Sequence, residues 1–309
     1  MARSLVIGSR GSKLALWQAE LTRDRLSRAI PQLDIRIEVI KTTGDVKSDP
    51  LSVIGGKGVF TKELEDALLD GRIDLAVHSL KDLPTILPDG LAISAICERE
   101  DPRDALVLRS GSNINTGSLL NLPAGAIVGT SSQRRLAQLK TLRRDVEVRD
   151  LRGNVDTRIR KLDEGQYDAV ILASAGLIRL GLQNRISVRI PVNEMLPAVG
   201  QGAIAIETRS ANEAAANSAA LLDHPETRLR CLAERSFLRS LGGGCQFPIA
   251  AHAVIDGNVL RLDGLVANPD GSEILRDHVN GAAVEAETLG ASLAEQLRQR
   301  GAVELLQLS

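Results

Sequence analysis

An aspartate beside a lysine, a series of arginines and a thiol behind three glycines are the side chains with which this sequence could do chemistry. The aspartate lies in Ile73-Asp74-Leu75-Ala76-Val77-His78-Ser79-Leu80-Lys81-Asp82-Leu83-Pro84. The first half is a short branched apolar run that reads as a buried strand. The second half presents Ser79, Lys81 and Asp82 before Pro84 ends regular structure. Open α/β sheets bind ligands at the carboxyl ends of their strands. An ionised Asp82 there can stabilise a developing positive charge. Taken alone, the same residue also reads as a solvated turn aspartate bonded to its own backbone. His78, inside the apolar run, reads as packed.

The arginines recur at strand-to-helix junctions. In Gly129-Thr130-Ser131-Ser132-Gln133-Arg134-Arg135 a strand ends, hydroxyls mark a helix start, and two cations occupy its first turn. Each opposes the helix dipole at about 0.3–1 kcal/mol, so an anion is expected at that end; two solvated arginines are the plainer alternative. Asp150-Leu151-Arg152-Gly153-Asn154-Val155-Asp156-Thr157-Arg158 repeats the design, and Arg179 follows the strand over 170–173. The planar guanidinium fork engages carboxylates and phosphates bidentately. The implied ligand carries several such groups. Gly8-Ser9-Arg10-Gly11-Ser12 is a similar junction, where helix-start amides attract anions and Arg10 and Ser12 add to them.

Cys245 follows Gly242-Gly243-Gly244, an accessible setting for a nucleophile or an attachment point. Cys97 in a strand and Cys231 in a helix read as buried structural thiols. Three widely spaced cysteines and four scattered histidines argue against a disulfide framework and a metal site.

The elements that must position these groups follow from periodicity. Strands are expected over 4–9, 33–41, 91–97, 105–108, 126–129, 146–149, 167–173 and 203–208, with a helix over 13–30 presenting Leu14, Trp17 and Leu21 on one face. Helices start near Ser132 and Val155, and residues 42–57 read as a glycine-rich flap carrying Lys57. Residues 98–104, charged and bearing Pro102, read as a hinge. A helix over 227–240, three strands over 249–255, 259–266 and 274–279, and a final helix over 283–300 give a small α+β portion. The expected division is 1–99 with 202–220, then 100–201, then 221–309: two α/β domains of the periplasmic-binding type forming a cleft, plus a C-terminal α+β domain with a three-stranded antiparallel sheet.

Of the 309 residues, 43% are hydrophobic and 2% aromatic, and the net charge is -1. Residues 130–190 hold 13 Lys/Arg against 7 Asp/Glu, while residues 223–309 hold 8 against 12. With stacking aromatics scarce, the basic middle suits a small polyanion better than nucleic acid. Neither a signal peptide nor a membrane span is expected, so the reading is a cytoplasmic monomer.

At this point the residues resemble a known family, the porphobilinogen deaminases, also called hydroxymethylbilane synthases. The matching stretches are Gly8-Ser9-Arg10 with Leu14-Ala15-Leu16-Trp17-Gln18, Gly55-Gly56-Lys57-Gly58, Ala76-Val77-His78-Ser79-Leu80-Lys81-Asp82-Leu83-Pro84 and Arg99-Glu100-Asp101-Pro102-Arg103-Asp104. They continue through Gly129-Thr130-Ser131-Ser132, Leu151-Arg152-Gly153-Asn154-Val155, Leu196-Pro197-Ala198-Val199-Gly200-Gln201-Gly202 and Gly243-Gly244-Cys245-Gln246. The resemblance implies a transferase that joins four porphobilinogen molecules head to tail into hydroxymethylbilane with release of ammonia, in tetrapyrrole (haem) biosynthesis. It further implies a dipyrromethane cofactor in thioether linkage to Cys245, and Asp82 as the catalytic carboxylate. Ser79, Lys81, Thr130, Ser131, Ser132, Arg134, Arg135, Arg152 and Arg158 would hold the cofactor and growing chain. Arg10, Ser12, Gln18, Lys57 and Arg179 would receive the incoming substrate. A non-enzymatic, hinge-closing binder of a small polyanion is the competing reading, and a cysteine-dependent hydrolase a second. Neither needs the adduct on Cys245 that the family reading demands.

Overall fold

A computed structural model describes residues 4–42, 60–114, 117–244 and 247–307. The chain begins β1 (Ser4–Ser9), α1 (Lys13–Ala29), β2 (Asp34–Val39), α2 (Lys62–Leu69), β3 (Leu75–Ser79) and β4 (Leu91–Ile96). It continues β5 (Asp104–Leu108), β6 (Ile127–Gly129), α3 (Gln133–Leu142), β7 (Glu147–Arg149), α4 (Val155–Asp163), β8 (Ala169–Ala173), α5 (Ser174–Arg179) and β9 (Val188–Arg189). Then come β10 (Ile204–Arg209), α6 (Glu213–Ala220) and α7 (Pro225–Ser240). It ends β11 (Ile249–Asp256), β12 (Val259–Ala267), β13 (Ile274–Ala282), α8 (Ala286–Gln299) and α9 (Ala302–Gln307). Two compact units result: Met1–Glu100 with Ala203–Leu229, and Asp101–Gly202 with Arg230–Ser309.

The first unit is built on a five-stranded sheet in the order β2-β1-β3-β10-β4. β1 runs parallel to β2 and β3, and β10 is antiparallel to β3 and β4. Strand side chains alternate between faces, and the core follows that alternation. Leu5, Ile7, Leu75 and Val77 pack with Ala19 and Leu26 of α1 and Ala215 and Ala219 of α6. Ala76 points the other way, to Leu64, Ala67 and Leu68 of α2.

The second unit repeats this plan in the order β7-β6-β8-β5-β9, with β6 parallel to β7 and β8 and β5 antiparallel to β8. It also holds the antiparallel sheet β11-β12-β13. On that sheet Ala250, Leu265 and Ala267 pack with Ala137 of α3 and with Leu196.

Helix α1 turns a different face inward from the one its large side chains suggest. Ala15, Gln18, Ala19, Thr22 and Leu26 are buried, while Trp17 and Leu21 are partly buried at the flank of the cluster. Small residues let the helix lie close to the sheet, and the larger ones cover its margin. Helix α8 begins at Ala286, after a 3-10 turn over Ala283–Glu285, rather than at residue 283.

Candidate active site

Asp82 sits in a single 3-10 turn, Leu80–Asp82, that directly follows β3. Leu80 and Leu83 are buried at 1% and 3% exposure and close the turn with a 3.2 Å backbone bond from the Leu83 amide to the Leu80 carbonyl. Two leucines three apart plug into the core, so Lys81 and Asp82 between them face outward. Asp82 is exposed and makes no hydrogen bond or ion pair among the described residues. This exposure agrees with the solvated-turn alternative, though the bond to its own backbone which that alternative included is absent among the described residues. Its neighbour Ser79 accepts from Gln18 Nε2 at 2.9 Å. Gln18 lies on the buried face of α1 at 2% exposure, which brings two expected ligand-binding residues together.

At the start of α1, Ser12 is the N-cap and its hydroxyl accepts from the Ala15 amide at 3.3 Å. This leaves the hydroxyl hydrogen of Ser12 for a second partner. Arg10 stacks over the Phe60 ring, with its guanidinium carbon 4.3 Å from the centroid. That contact orients the fork without occupying its N–H donors.

The arginines at the start of α3 do have an anion, and the chain supplies it. Asp104, the first residue of β5, is fully buried, and Arg134 and Arg135 are each 5% exposed. Arg134 donates Nη1 to Asp104 Oδ2 at 2.6 Å and Nη2 to Oδ1 at 3.2 Å. Arg135 donates Nε and Nη2 to Oδ1 at 3.1 and 2.7 Å. Remaining donors reach the carbonyls of Leu196 at 2.7 Å and Ile171 at 2.9 Å. Burial pushes the Asp104 carboxyl up, but the two guanidinium charges overcome it and hold that carboxyl well below the usual range. Burial lowers Arg134, against the pull of Asp104 and with the adjacent Arg135 charge adding to the decrease. Read from sequence, residues 98–104 are a charged hinge and Arg134 and Arg135 a rim facing a ligand. In the folded chain the last residue of that hinge is a core residue, and the two arginines converge on it.

The other junction residues are less enclosed. Ser132 caps α3, and the Ser132 amide donates to Thr130 Oγ1 at 3.2 Å. Ser131 donates its hydroxyl to the Leu151 carbonyl at 2.5 Å and accepts the Leu151 amide at 3.1 Å, tying the two arginine-bearing loops together. Arg152 pairs with Asp150 at 2.8 Å with its side chain 35% exposed. Arg158 donates to the Gly153 carbonyl at 2.7 Å. Arg179, the last residue of the six-residue α5, is buried and donates to the Gly202 carbonyl at 2.6 Å.

Cys245 and Lys57 lie outside the described residues. On either side of the cysteine, Gly243 donates its amide to the Leu238 carbonyl at 3.2 Å and Phe247 donates to the Gly244 carbonyl at 3.1 Å. Both other cysteines are buried. Asp104, Gln201 and Glu234 are among the buried polar residues that escape the sequence reading. Of these three, Gln201 alone leaves a local signal, a polar residue flanked by two glycines.

A family model described as "Porphobilinogen deaminase, dipyromethane cofactor binding domain" matches residues 5–217, and one described as "Porphobilinogen deaminase, C-terminal domain" matches residues 228–299. The porphobilinogen deaminase of Nostoc sp. is 50% identical over 305 residues, spanning 98% of this chain and 94% of that one. The chain is an enzyme, a transferase of tetrapyrrole biosynthesis that uses a dipyrromethane cofactor. It belongs to the porphobilinogen deaminase family. Among solved structures it is similar to the second substrate binding domain of a putative amino acid ABC transporter from Streptococcus pneumoniae, with TM-score 0.46 and 15% identity over 77% of this chain and 94% of that one. It is also similar to the unliganded, open L-cystine solute receptor of Neisseria gonorrhoeae, with TM-score 0.41 and 12% identity over 79% and 95%. No helix among the described residues is long and apolar enough to cross a membrane.

Proposed function

We propose that this chain joins four porphobilinogen molecules head to tail into hydroxymethylbilane, releasing ammonia at each addition, on a dipyrromethane primer in thioether linkage to Cys245. The observation that carries the reading is the trio Asp104, Arg134 and Arg135: two guanidinium groups face one carboxylate, all buried, so one positive charge is left over. A buried charge without a counter-ion is costly. The acetate and propionate arms of a pyrrole chain are the kind of anion that offsets this cost, so the donor set fits the primer.

In this reading Arg134, Arg135, Arg152 and Arg158 hold carboxylates of the primer and growing chain, with Lys81, Ser79, Thr130, Ser131 and Ser132 completing the hydrogen bonding. Arg10, Ser12, Gln18, Lys57 and Arg179 receive the incoming porphobilinogen. When bound, the primer supplies a covalent tether that makes each addition effectively intramolecular. Asp82, exposed and without a partner among the described residues, accepts pyrrole N–H groups on its two carboxylate oxygens and stabilises the positive charge that develops there, a role worth about 3–4 kcal/mol. The same oxygens take the proton released from the pyrrole α-carbon.

The three sheets support a division into 1–99 with 202–220, 100–201 and 221–309, the third carrying the cysteine loop. We assign the enzyme to the cytoplasm as a monomer. Intact-mass measurement under denaturing conditions tests the proposal. The purified chain is expected to exceed its sequence mass by a dipyrromethane, and Cys245→Ser to lack that increment. A wild-type chain at its bare sequence mass refutes the reading.

A further inference from the structure

Residues 196–202 lead from the second unit into β10 and form no helix or strand. Buried side chains grip this crossover throughout. The Leu196 carbonyl accepts from Arg134 Nη1 at 2.7 Å and from Gln138 Nε2 at 3.0 Å. The Gly200 amide donates to Glu234 Oε2 at 2.8 Å, and the Gly202 carbonyl accepts from Arg179 at 2.6 Å. Gln201, at 0% exposure, donates Nε2 to the Pro102 carbonyl at 2.8 Å and to Asp104 Oδ1 at 2.9 Å. Gly200 and Gly202 have φ of 70° and 90°, left-handed backbone that favours glycine on both sides of the glutamine. This backbone aims Gln201 into the arginine trio.

Gln201 is not what neutralises that trio. Asp104 Oδ1 accepts three guanidinium N–H groups besides Gln201, and Oδ2 accepts a fourth. Without the glutamine amide, the buried charges remain paired and Arg134 still reaches the Leu196 carbonyl, but the link from Asp104 to the crossover is lost. We infer that Gln201 is a positioning residue for the arginine pair: by holding Asp104 against the Pro102 carbonyl it fixes the direction in which the Arg134 and Arg135 forks meet ligand carboxylates. The inference rests on the proposed role of those arginines in holding the primer.

Thermal melting of primer-bearing chain and of the primer-free Cys245→Ser chain tests it, because a ligand bound to the folded state raises the midpoint. Gln201→Met keeps the side-chain length and removes the donor. It is expected to lower the Cys245→Ser midpoint by the loss of the buried hydrogen bonds and, beyond that lowering, to roughly halve the rise that the primer confers. Equal lowering of both midpoints marks a merely structural role and overturns the proposal. Arg134→Lys runs in parallel: if it leaves the primer's rise intact, the assignment of the arginines fails, and the positioning role falls with it. If the methionine variant does not fold, Gln201→Glu decides. It places a second carboxylate beside Asp104, offsets the surplus positive charge, and is expected to lower the primer-loaded fraction in intact-mass spectra. Full loading of Gln201→Glu also overturns the proposal.

Discussion

The backbone amide of Leu80 donates to the carbonyl of Ala203 at 3.0 Å, so the turn that presents Asp82 hangs from the residue immediately before β10. The second unit has a counterpart: the Ser174 amide donates to the Arg103 carbonyl at 3.0 Å, immediately before β5. In both cases the residue after a central strand is fixed by backbone to the residue just before the antiparallel strand beside it. Asp82 is therefore placed by main chain and by two buried leucines, with no bond from its own carboxylate.

Asp82→Asn accordingly has no partner to lose and should melt within about 0.5 kcal/mol of wild type, as surface substitutions do. Turnover should fall about 10²- to 10³-fold, the loss associated with one preorganised electrostatic group. Steady-state assay and thermal melting of the same preparation check both halves.

Asp104→Asn should behave oppositely. It leaves two buried guanidinium groups without a counter-ion and is expected to destabilise the chain by about 3–5 kcal/mol. The folded Asp104 carboxyl lies below its unfolded value, so its stabilisation is complete above the ordinary carboxylate range and is lost as pH falls through the folded value. Wild-type stability measured by denaturant titration on the acid side should decline more steeply than that of Asp104→Asn.

A second buried cluster joins β3 and β10. His78 Nε2 is 3.0 Å from Glu207 Oε2, cross-strand between β3 and β10, with side chains 4% and 0% exposed. Glu207→Leu alone leaves a buried His78 ring nitrogen unpaired and should cost about 1–3 kcal/mol, and His78→Phe with Glu207→Leu should recover most of it, because removing both partners leaves neither of their polar groups unsatisfied. A double-mutant cycle of melts measures the coupling.

Glu65 of α2 adjoins that pair. Burial raises its carboxyl, the Glu207 charge adds to the rise, and the Thr61 hydroxyl and His78 oppose it. A folded value above the unfolded one gives stability at low pH that is lost as pH rises through the folded value. Glu65→Gln should therefore match wild type near pH 5 and exceed it progressively toward pH 8, measured by denaturant midpoints.

Arg152→Ala removes a partly exposed pair with Asp150, worth about 0–1 kcal/mol to stability. As a carboxylate ligand it is worth more, and KM for porphobilinogen or primer loading should worsen by about tenfold to a hundredfold. Unchanged kinetics with complete loading would remove Arg152 from the site.

Much of this was legible along the chain, because local signals report local structure. Ser132 before Arg134 and Arg135 marks a helix start, and the misplaced charge there reads as a site for a bound anion, where the folded chain has its own Asp104. The anion itself was not legible: Asp104 lies thirty residues upstream, in a stretch whose charge density reads as solvent-facing. Burial of an ion pair depends on what the fold brings to it, and no periodicity encodes that. Glu234 is similar. It sits mid-helix in α7 like any surface glutamate, yet its carboxylate accepts the amides of Gly200 at 2.8 Å and Ala253 at 2.9 Å. Short elements such as α5 and β9 also give too few residues for a period to emerge.

The placement of β10 between β3 and β4 has a consequence for how the polypeptide is made. A ribosome releases β1 through β4 well before it has synthesised residues 204–209, so the nascent chain has two strands whose shared neighbour does not yet exist. Both present unpaired backbone on their inner edges throughout that interval. Completion of the first unit must wait for the intervening hundred or so residues, which makes closure of this sheet a late, long-range event with a correspondingly slow rate.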